Sequence, residues 1–308
     1  MLHEMGRQRR LGRLVPAGRA AVWLPLDDGL ISGPEDHLRD PRALLAPDVV
    51  GHITAVLGFR GTLTACRRQL DGLPVMMNLT AGTTLHDHTR KVAVGEVLDA
   101  VRAGAEGIVC HVNLTSPYEQ EQLDILSRRI SEAESYGLPV VAMAYPRTRR
   151  VDGSDENYLD LRQHEPDEFA VLVRHCVRIA VDLGASAVKT IFTGTVESFR
   201  TVVDSAMEVP VLIAGERLVD EAEAIEKAQL AVRAGAAGVA FGRQIFARPD
   251  PAPFVQKLRS ALDDQWMESR RGLQAVPFDE VSSAPPRPDA APSLPPEAPR
   301  PEWAASAR

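Results

Sequence analysis

A lysine interrupts an otherwise apolar, strand-like stretch that reads GASAVKTIFTG from Gly184 to Gly194. Lys189 is one of only four lysines, whereas arginine supplies the rest of the 35 basic residues. Burial lowers the pKa of a lysine because it disfavours the charged form, and the neutral amine can attack a carbonyl carbon to form a Schiff base. The alternative is a structural lysine paired with a carboxylate such as Asp27, and spacing alone leaves both interpretations open.

Other residues with useful chemistry lie at the ends of neighbouring apolar runs. Tyr145 can transfer a proton through its phenol, and Asp27 can accept a proton or orient an amine. Each also has a purely structural interpretation: Tyr145 as an aromatic side chain at the rim, and Asp27 as a carboxylate that caps a turn. His111 and Asn113 end another run, but His111 has no second His or Cys at metal-ligand spacing. We therefore expect no metal and no cofactor.

Two glycine-containing segments near the end of the apolar pattern indicate an anion site. The sequence IAGE contains Gly215, and AFGRQIF contains Gly242 and Arg243. Glycines let the backbone approach an anion, and an arginine can bind a phosphate through two donors. Each glycine alone is equally consistent with a tight turn. Their joint position after the last two predicted strands favours a phosphate site, because barrel enzymes often build one there.

The order of apolar and helical segments predicts the elements that position these groups. Eight short apolar runs alternate with segments of helical periodicity, and they span residues 21–28, 53–59, 74–79, 107–112, 139–145, 187–192, 209–215 and 238–242. This pattern predicts a (β/α)8 TIM barrel over residues 21–264, with its chemistry at the C-terminal ends of the strands. An open, doubly wound sheet is the rival architecture. The barrel pattern fits least well in the connection between the first two predicted strands, where prolines leave room for only a short helix.

Composition limits the class of protein. A net charge of −7 disfavours a nucleic-acid partner, and neither a signal peptide nor a membrane span is evident in the sequence. The three cysteines are widely spaced, which predicts a reducing, cytoplasmic location rather than a disulfide framework. Residues 1–20 form an N-terminal segment, and residues 265–308 are predicted to be a linker and a disordered, proline-rich tail.

Several ordered motifs resemble one enzyme family. The segments LPLDDGLISGP, HVNLTS, GLPVVAMAYPR, LGASAVKT, VPVLIAGE and AGAAGVAFGRQIF resemble the class I, Schiff-base aldolases of the archaeal fructose-bisphosphate aldolase and deoxyribose-phosphate aldolase superfamily. Within it, the sequence is most similar to the 2-amino-3,7-dideoxy-D-threo-hept-6-ulosonate synthase type. The resemblance covers residues from about 8 to 262. It implies that Lys189 forms the imine, that Tyr145 transfers protons and that Asp27 assists.

The resemblance further implies a phosphorylated ketone, such as dihydroxyacetone phosphate, held by Gly215, Gly242 and Arg243, and a small aldehyde such as aspartate semialdehyde. It also implies a homo-oligomer, with a decameric ring as one form. The possible substrate contacts are Asp28, His111, Asn113, Arg147 and Glu216.

Two departures from the family pattern stand out. Asp28 occupies the position where the family usually has histidine, and Glu216 replaces the second glycine of a Gly-Gly pair. A carboxylate beside an anion site is unfavourable, so either Glu216 points away or the ligand differs there.

Three functions remain open at this point. The first is a Schiff-base synthase, with fructose-bisphosphate aldolase and acyl-transferring thiolase as near alternatives. The second is an isomerase of the same barrel type that uses Asp27, Asp28 and Tyr145 without an imine. The third is a non-catalytic barrel scaffold with the tail as partner ligand.

Overall fold

The structure, a computed structural model, describes residues 2–34, 36–147 and 157–274, with side chains described except at 157 and 270–274. Within these ranges, all eight predicted strands form and close into a parallel barrel, which confirms the (β/α)8 prediction over the open sheet. The barrel strands are β1 (Ala21–Pro25), β2 (Ala55–Gly58), β3 (Val75–Asn78), β6 (Gly107–Leu114), β7 (Val140–Pro146), β8 (Ala187–Thr190), β9 (Val211–Ala214) and β10 (Gly238–Ala240). Around the ring their order is β1, β10, β9, β8, β7, β6, β3, β2.

Two short strands outside the barrel form an antiparallel pair. They are β4 (Thr80–Ala81) and β5 (Val92–Ala93), with Thr80 opposite Ala93 and Ala81 opposite Val92. The pair ties together both ends of the loop that follows β3, and the sequence pattern did not predict it.

Continuous apolar character explains the barrel strands. Nearly every residue of these strands is buried, since neighbouring helices cover their outer faces and side chains fill the interior. In register, Met143 of β7 lies beside Lys189 of β8, so the lysine is flanked by an apolar side chain within the sheet. The sheet therefore holds the amine in an environment that disfavours its charge.

Helices precede the first barrel strand, connect successive strands and follow the last strand. They are α1 (Leu2–Leu14), α2 (Asp28–Ile31), α3 (Pro41–Leu44), α4 (Pro47–Val50), α5 (Arg60–Ala65), α6 (Val97–Arg102), α7 (Glu119–Ser135), α8 (Asn157–His164), α9 (Pro166–Asp182), α10 (Val196–Asp204), α11 (Glu221–Arg233), α12 (Arg243–Phe246) and α13 (Pro251–Gln274). None of the helices in the described ranges is long and apolar enough to cross a membrane.

The connection between β1 and β2 contains several short helices instead of one long helix, as its prolines predict. It contains α2, a 3₁₀ turn at Asp36–Arg39, α3 and α4, each of four residues. Prolines begin both α3 and α4, where the missing N–H costs nothing. β1 ends at Pro25, and Asp27 and Asp28 belong to the turn that begins α2 rather than to the predicted strand at 21–28.

The C-terminal boundary needs a correction. The predicted linker at 265–308 is wrong for residues 265–274, because α13 continues to Gln274. Phe254, Leu258 and Leu262 recur at intervals of four residues and are fully buried, and Gln265 continues this face by accepting a hydrogen bond from Arg233 at 3.1 Å. The proline-rich tail that the sequence predicts lies outside the described residues. The N-terminal segment contains α1, whose last carbonyl, that of Leu14, accepts a hydrogen bond from the Trp23 indole.

Candidate active site

The C-terminal ends of the barrel strands surround a cavity of about 220 Å³. Nearly all of the site residues predicted from the sequence line it: Asp27, Asp28, His111, Tyr145, Arg147, Lys189, Gly215, Glu216, Gly242 and Arg243. Asn113 is the exception. The structure therefore brings residues from β1 to β10 together at one mouth, although they are far apart in the chain.

Lys189 points into this cavity from β8. Its side chain is 8% exposed, and its ammonium donates to the sulfur of Met143 at 3.6 Å. Burial lowers the pKa of Lys189, while the nearby charges of Asp27 and Asp28 act in the opposite direction. A sulfur is a weak acceptor and stabilises an ammonium poorly. The neutral, nucleophilic amine is thus more accessible near neutral pH than in an exposed lysine.

Asp27 forms the acidic counterpart of the lysine. It is buried and accepts a hydrogen bond from the Asn78 amide at 3.2 Å. Burial raises the pKa of Asp27, and the positive charge of Lys189 lowers it. Burial therefore moves the two pKa values toward each other, because it favours the neutral form of both groups. A proton can pass between such groups at a lower cost than between an exposed aspartate and lysine.

Tyr145 is the penultimate residue of β7, and its side chain is buried. The ring packs edge-on against His111 with centroids 5.0 Å apart, and the Arg147 guanidinium lies 5.8 Å from the ring centre. Burial raises the pKa of Tyr145, so the hydroxyl keeps its proton at neutral pH. Tyr145 can therefore donate a proton or a hydrogen bond to a group in the cavity.

His111, whose ring packs against Tyr145, is held neutral by its surroundings. The Asn113 amide donates to the Thr89 carbonyl at 2.9 Å, which leaves its oxygen facing His111 Nε2 at 3.0 Å. His111 therefore donates through Nε2. Burial lowers its pKa strongly, and the charges of Lys91 and Arg147 add to this effect. Asn113 is fully buried and orients His111, so it is not brought to the cavity as the sequence predicted.

The predicted phosphate segments lie at the end of β9 and after β10. Gly242 precedes α12, and Arg243 Nε lies 3.3 Å from an oxygen of Asp28, the residue that replaces the usual histidine. Packing explains one glycine: a Cβ at Gly215 would lie 3.0 Å from Cγ of Gln244. The Gln244 amide donates to the Gly215 carbonyl at 2.9 Å and also bonds the Arg217 carbonyl. Gln244 therefore fixes the loop after β9.

Glu216 directs its carboxylate to two cations. Arg162 of α8 donates to both carboxylate oxygens at 2.9 and 3.1 Å, and Lys227 of α11 bonds one of them. Burial acts to raise the Glu216 pKa, but Lys227 and Arg162 outweigh it and the net pKa is lowered. The backbone at Glu216 has φ of +60°, a conformation that favours glycine. The carboxylate beside the predicted anion site is thus ionised and compensated by these cations.

Two basic residues of the cavity were not predicted as site residues from the sequence. Lys91 is 1% exposed and lines the cavity together with His88. Both lie between β4 and β5, well along the loop that follows β3, and not directly after a barrel strand, where catalytic groups were expected. The rarity of lysine in the sequence was the available signal, since Lys91 is one of four.

Comparisons with known proteins agree with this geometry. Residues 21–248 match the model of the DeoC/LacD family aldolases. A 2-amino-3,7-dideoxy-D-threo-hept-6-ulosonate synthase of Halobacterium salinarum is 33% identical over 85% of this chain and 93% of its own length. A 2-amino-4,5-dihydroxy-6-oxo-7-(phosphonooxy)heptanoate synthase of Streptomyces griseus is 29% identical over 85% of this chain and 90% of its own length.

Solved structures of aldolases are also similar to this chain. The crystal structure of an archaeal fructose 1,6-bisphosphate aldolase superposes with a TM-score of 0.72 at 27% identity, over 84% of this chain and 99% of that one. A second structure of an archaeal fructose-1,6-bisphosphate aldolase holds the carbinolamine intermediate covalently on its catalytic lysine, and it matches at 26% identity and a TM-score of 0.72 over 83% of this chain and 99% of that one. The chain therefore belongs to the DeoC/LacD aldolase family and is an aldolase-type enzyme of the Schiff-base class.

Proposed function

We propose that this enzyme joins a phosphorylated ketone, through an imine on Lys189, to a small aldehyde that carries an amino-acid end. The observation that carries the proposal is the buried amine of Lys189 in one cavity with Asp27, Tyr145 and Arg243. Burial supplies a neutral nucleophile, Asp27 and Tyr145 supply proton transfer, and Arg243 supplies a positive charge for the phosphate.

A Schiff-base condensation can be written with these side chains, the two substrates and water. The Lys189 amine adds to the ketone carbon to give a carbinolamine, which loses water to form a protonated imine. Loss of a proton from the adjacent carbon gives an enamine, and this carbon attacks the aldehyde to form the new C–C bond. Water then hydrolyses the imine and releases the product and free Lys189. In this scheme Tyr145 protonates the new alkoxide, and Asp27 accepts and returns protons at the carbinolamine and imine steps.

The relatives' products suggest what the two substrates are. In 2-amino-4,5-dihydroxy-6-oxo-7-(phosphonooxy)heptanoate, the ketone at carbon 6 makes the bond between carbons 4 and 5 the aldol bond. Cleaving it gives dihydroxyacetone phosphate from carbons 5–7 and aspartate semialdehyde from carbons 1–4. The Halobacterium relative's product has the same ketone position and 2-amino-acid end but no oxygen at carbon 7. Both therefore share the acceptor fragment, and they differ in the donor phosphate.

Arg243 supports the phosphorylated donor for this chain. It lines the cavity next to Gly242 and lies 3.3 Å from the carboxylate of Asp28, whereas Glu216, which lines the same cavity, is compensated by Arg162 and Lys227. A phosphate on the carbon adjacent to the ketone would be held beside Lys189, which positions the carbonyl for attack.

A condensation assay tests the proposal. The enzyme is incubated with aspartate semialdehyde and either dihydroxyacetone phosphate or hydroxyacetone, and products are identified by mass spectrometry. We expect a phosphorylated seven-carbon product from dihydroxyacetone phosphate, and its absence with Lys189→Arg, because a guanidinium does not deprotonate to a nucleophile. Equal product from Lys189→Arg would refute an imine on Lys189.

Fructose-bisphosphate aldolase is a second candidate, because the archaeal aldolase structures superpose over 84% of this chain. Cleavage of fructose 1,6-bisphosphate is measured in parallel by coupling the release of dihydroxyacetone phosphate to a dehydrogenase. Cleavage of the bisphosphate without any condensation on aspartate semialdehyde would replace the synthase proposal with this one.

A further inference from the structure

Tyr158 is a second phenol in the cavity, and the mechanism above does not use it. It lies on α8, is 2% exposed and lines the same cavity as Lys189. The mechanism gives a partner to the donor phosphate, at Arg243, and to the new alkoxide, at Tyr145. It gives none to the hydroxyl that dihydroxyacetone phosphate carries on the carbon that attacks the aldehyde. Tyr158 is therefore a candidate partner for that hydroxyl.

Helix α8 crosses the barrel mouth at the end of β8. Arg147, directly after β7, places its guanidinium 5.5 Å from the centre of the Tyr158 ring. Arg162 of α8 donates to the carbonyl of Phe192, which follows β8, at 3.4 Å, and to the carboxylate of Glu216, which follows β9. The strands β7, β8 and β9 are neighbours in the barrel. Contacts with the segments after all three strands thus place α8 across the end of β8.

Glu216 holds the face of α8 to which Tyr158 belongs. Tyr158 and Arg162 are four residues apart, so they lie on the same face of this helix. Both pack on Phe169 of α9, whose ring centre lies 6.4 Å from that of Tyr158 and 5.9 Å from the guanidinium carbon of Arg162. Arg162 donates to both carboxylate oxygens of Glu216. The carboxylate at the position where the family usually has glycine thus fixes the helical face from which Tyr158 reaches the cavity.

The Tyr158 hydroxyl is suited to donate a hydrogen bond to a ligand. Burial raises the pKa of Tyr158, so the phenol keeps its proton at neutral pH. Arg147 hydrogen-bonds this phenol, and because a guanidinium can only donate, the phenol oxygen is the acceptor. Such a contact polarises the O–H group and makes it a better donor. The proton of Tyr158 can thus be donated to an oxygen in the cavity.

Strand order assigns the two arms of the donor ketone. Arg243 follows β10, two strands from β8 on one side, whereas Arg147 and the Tyr158 ring beside it lie toward β7, on the other side. In the imine, the phosphate arm and the hydroxyl arm lie on different sides of the imine carbon. With the phosphate toward β10, the hydroxyl arm points toward β7 and Tyr158.

We propose that Tyr158 donates a hydrogen bond to the hydroxyl on the nucleophilic carbon of the donor ketone, and that Glu216 positions Tyr158 through Arg162. The inference rests on the imine and the phosphorylated donor of the proposed function, and it adds a residue that selects a hydroxylated donor. A ketone with a methyl group at that carbon would leave the buried phenol without this contact. Tyr158 is thus a specificity-determining residue, and Glu216 and Arg162 are positioning residues.

Borohydride trapping without any aldehyde tests the contact, because it reports the donor imine alone. The donors are dihydroxyacetone phosphate and hydroxyacetone phosphate, which has a methyl group in place of the hydroxymethyl group. We expect Tyr158→Phe to raise the half-saturating concentration of dihydroxyacetone phosphate about threefold to tenfold, the effect of one hydrogen bond, and to leave that of hydroxyacetone phosphate unchanged. Tyr136→Phe, at a tyrosine that is 41% exposed, is the matched control and should behave as wild type.

Arg162→Gln tests the positioning by Glu216, which keeps its contact with Lys227 in this variant. We expect the same selective rise for dihydroxyacetone phosphate, and no further rise when Tyr158→Phe is added. Arg162→Lys, which keeps a charge for Glu216, should retain part of the selectivity. A role in folding alone would lower stability without changing the ratio of the two half-saturating concentrations. If Tyr158→Phe does not fold, a selective rise in Arg162→Gln supports the inference and an equal rise refutes it.

Other outcomes decide against the inference. An equal rise with both donors in Tyr158→Phe would overturn it, since Tyr158 would then act on the imine or the phosphate and not on the hydroxyl. If wild type traps neither ketone, the proposed function fails and the inference fails with it. If wild type traps dihydroxyacetone phosphate but Tyr158→Phe shows no selective effect, only the hydroxyl assignment fails.

Discussion

Removing the ammonium of Lys227 should destabilise the protein more than removing that of Lys257. Lys227 and Arg162 are the two cations bonded to Glu216, whose side chain is only 7% exposed. Lys227 itself is 19% exposed. Lys227→Met keeps most of the side-chain volume but leaves a buried carboxylate with one partner instead of two.

The expected loss follows from these contacts. Removing one partner of a buried ion pair costs about 3–5 kcal/mol when the other charge is left alone. Glu216 keeps Arg162, which bonds both carboxylate oxygens at 2.9 and 3.1 Å. We therefore expect the free energy of unfolding to fall by a smaller amount, about 1.5–3 kcal/mol, the range for one hydrogen bond to a charged group. The matched control is Lys257→Met, whose pair with Glu221 is 60% and 40% exposed and should contribute about 0–1 kcal/mol.

Urea denaturation at pH 7 gives the free energy of unfolding of wild type and of both variants, and the midpoints are compared at a common slope. The pH dependence gives a second check. The Glu216 pKa is lowered in the folded protein, so its stabilisation is present above the ordinary value of 4.5 and is lost as pH falls through the folded pKa. The difference between wild type and Lys227→Met should therefore shrink in acid. Equal midpoints for the two variants, or a difference that persists in acid, would refute the reasoning.

Further predictions concern the catalytic groups. Asp27→Asn removes a charge that raises the pKa of Lys189, so the pH midpoint of donor trapping by borohydride should move lower, and an upward shift would contradict the pairing. Tyr145→Phe should reduce kcat for condensation by roughly 10²–10⁴-fold while the donor imine is still trapped, and unchanged turnover would exclude proton transfer by this phenol. Arg243→Gln should raise the KM of dihydroxyacetone phosphate roughly tenfold to hundredfold but not that of hydroxyacetone. Equal losses for both ketones would mean that Arg243 does not bind phosphate.

The barrel could be predicted because parallel strands buried on both faces leave a strong signal in the sequence. Each strand is a short apolar run bounded by helical periodicity, and Lys189 stands out as the one lysine within such a run. The rule that catalytic groups lie at the C-terminal ends of barrel strands then places Tyr145 and Asp27 near it. The structure confirms that these side chains share one cavity.

Contacts between distant loops and helices could not be predicted in the same way. Glu216 meets Arg162 and Lys227, which lie on two different helices, and no local pattern links them. Lys91 reaches the cavity from the loop between β4 and β5, because a buried network around Thr89 holds it there. The continuation of α13 to Gln274 was missed because the apolar spacing of Phe254, Leu258 and Leu262 ends before residue 265 and a proline-rich composition follows the helix.

Borohydride trapping tests the central claim most directly. The enzyme is incubated with dihydroxyacetone phosphate and borohydride, digested, and mapped by mass spectrometry. The imine mechanism predicts one reduced adduct on the peptide that contains Lys189, and none in Lys189→Met. An adduct that persists in Lys189→Met, an adduct on Lys91, or no adduct with wild type would contradict Lys189 as the Schiff-base lysine.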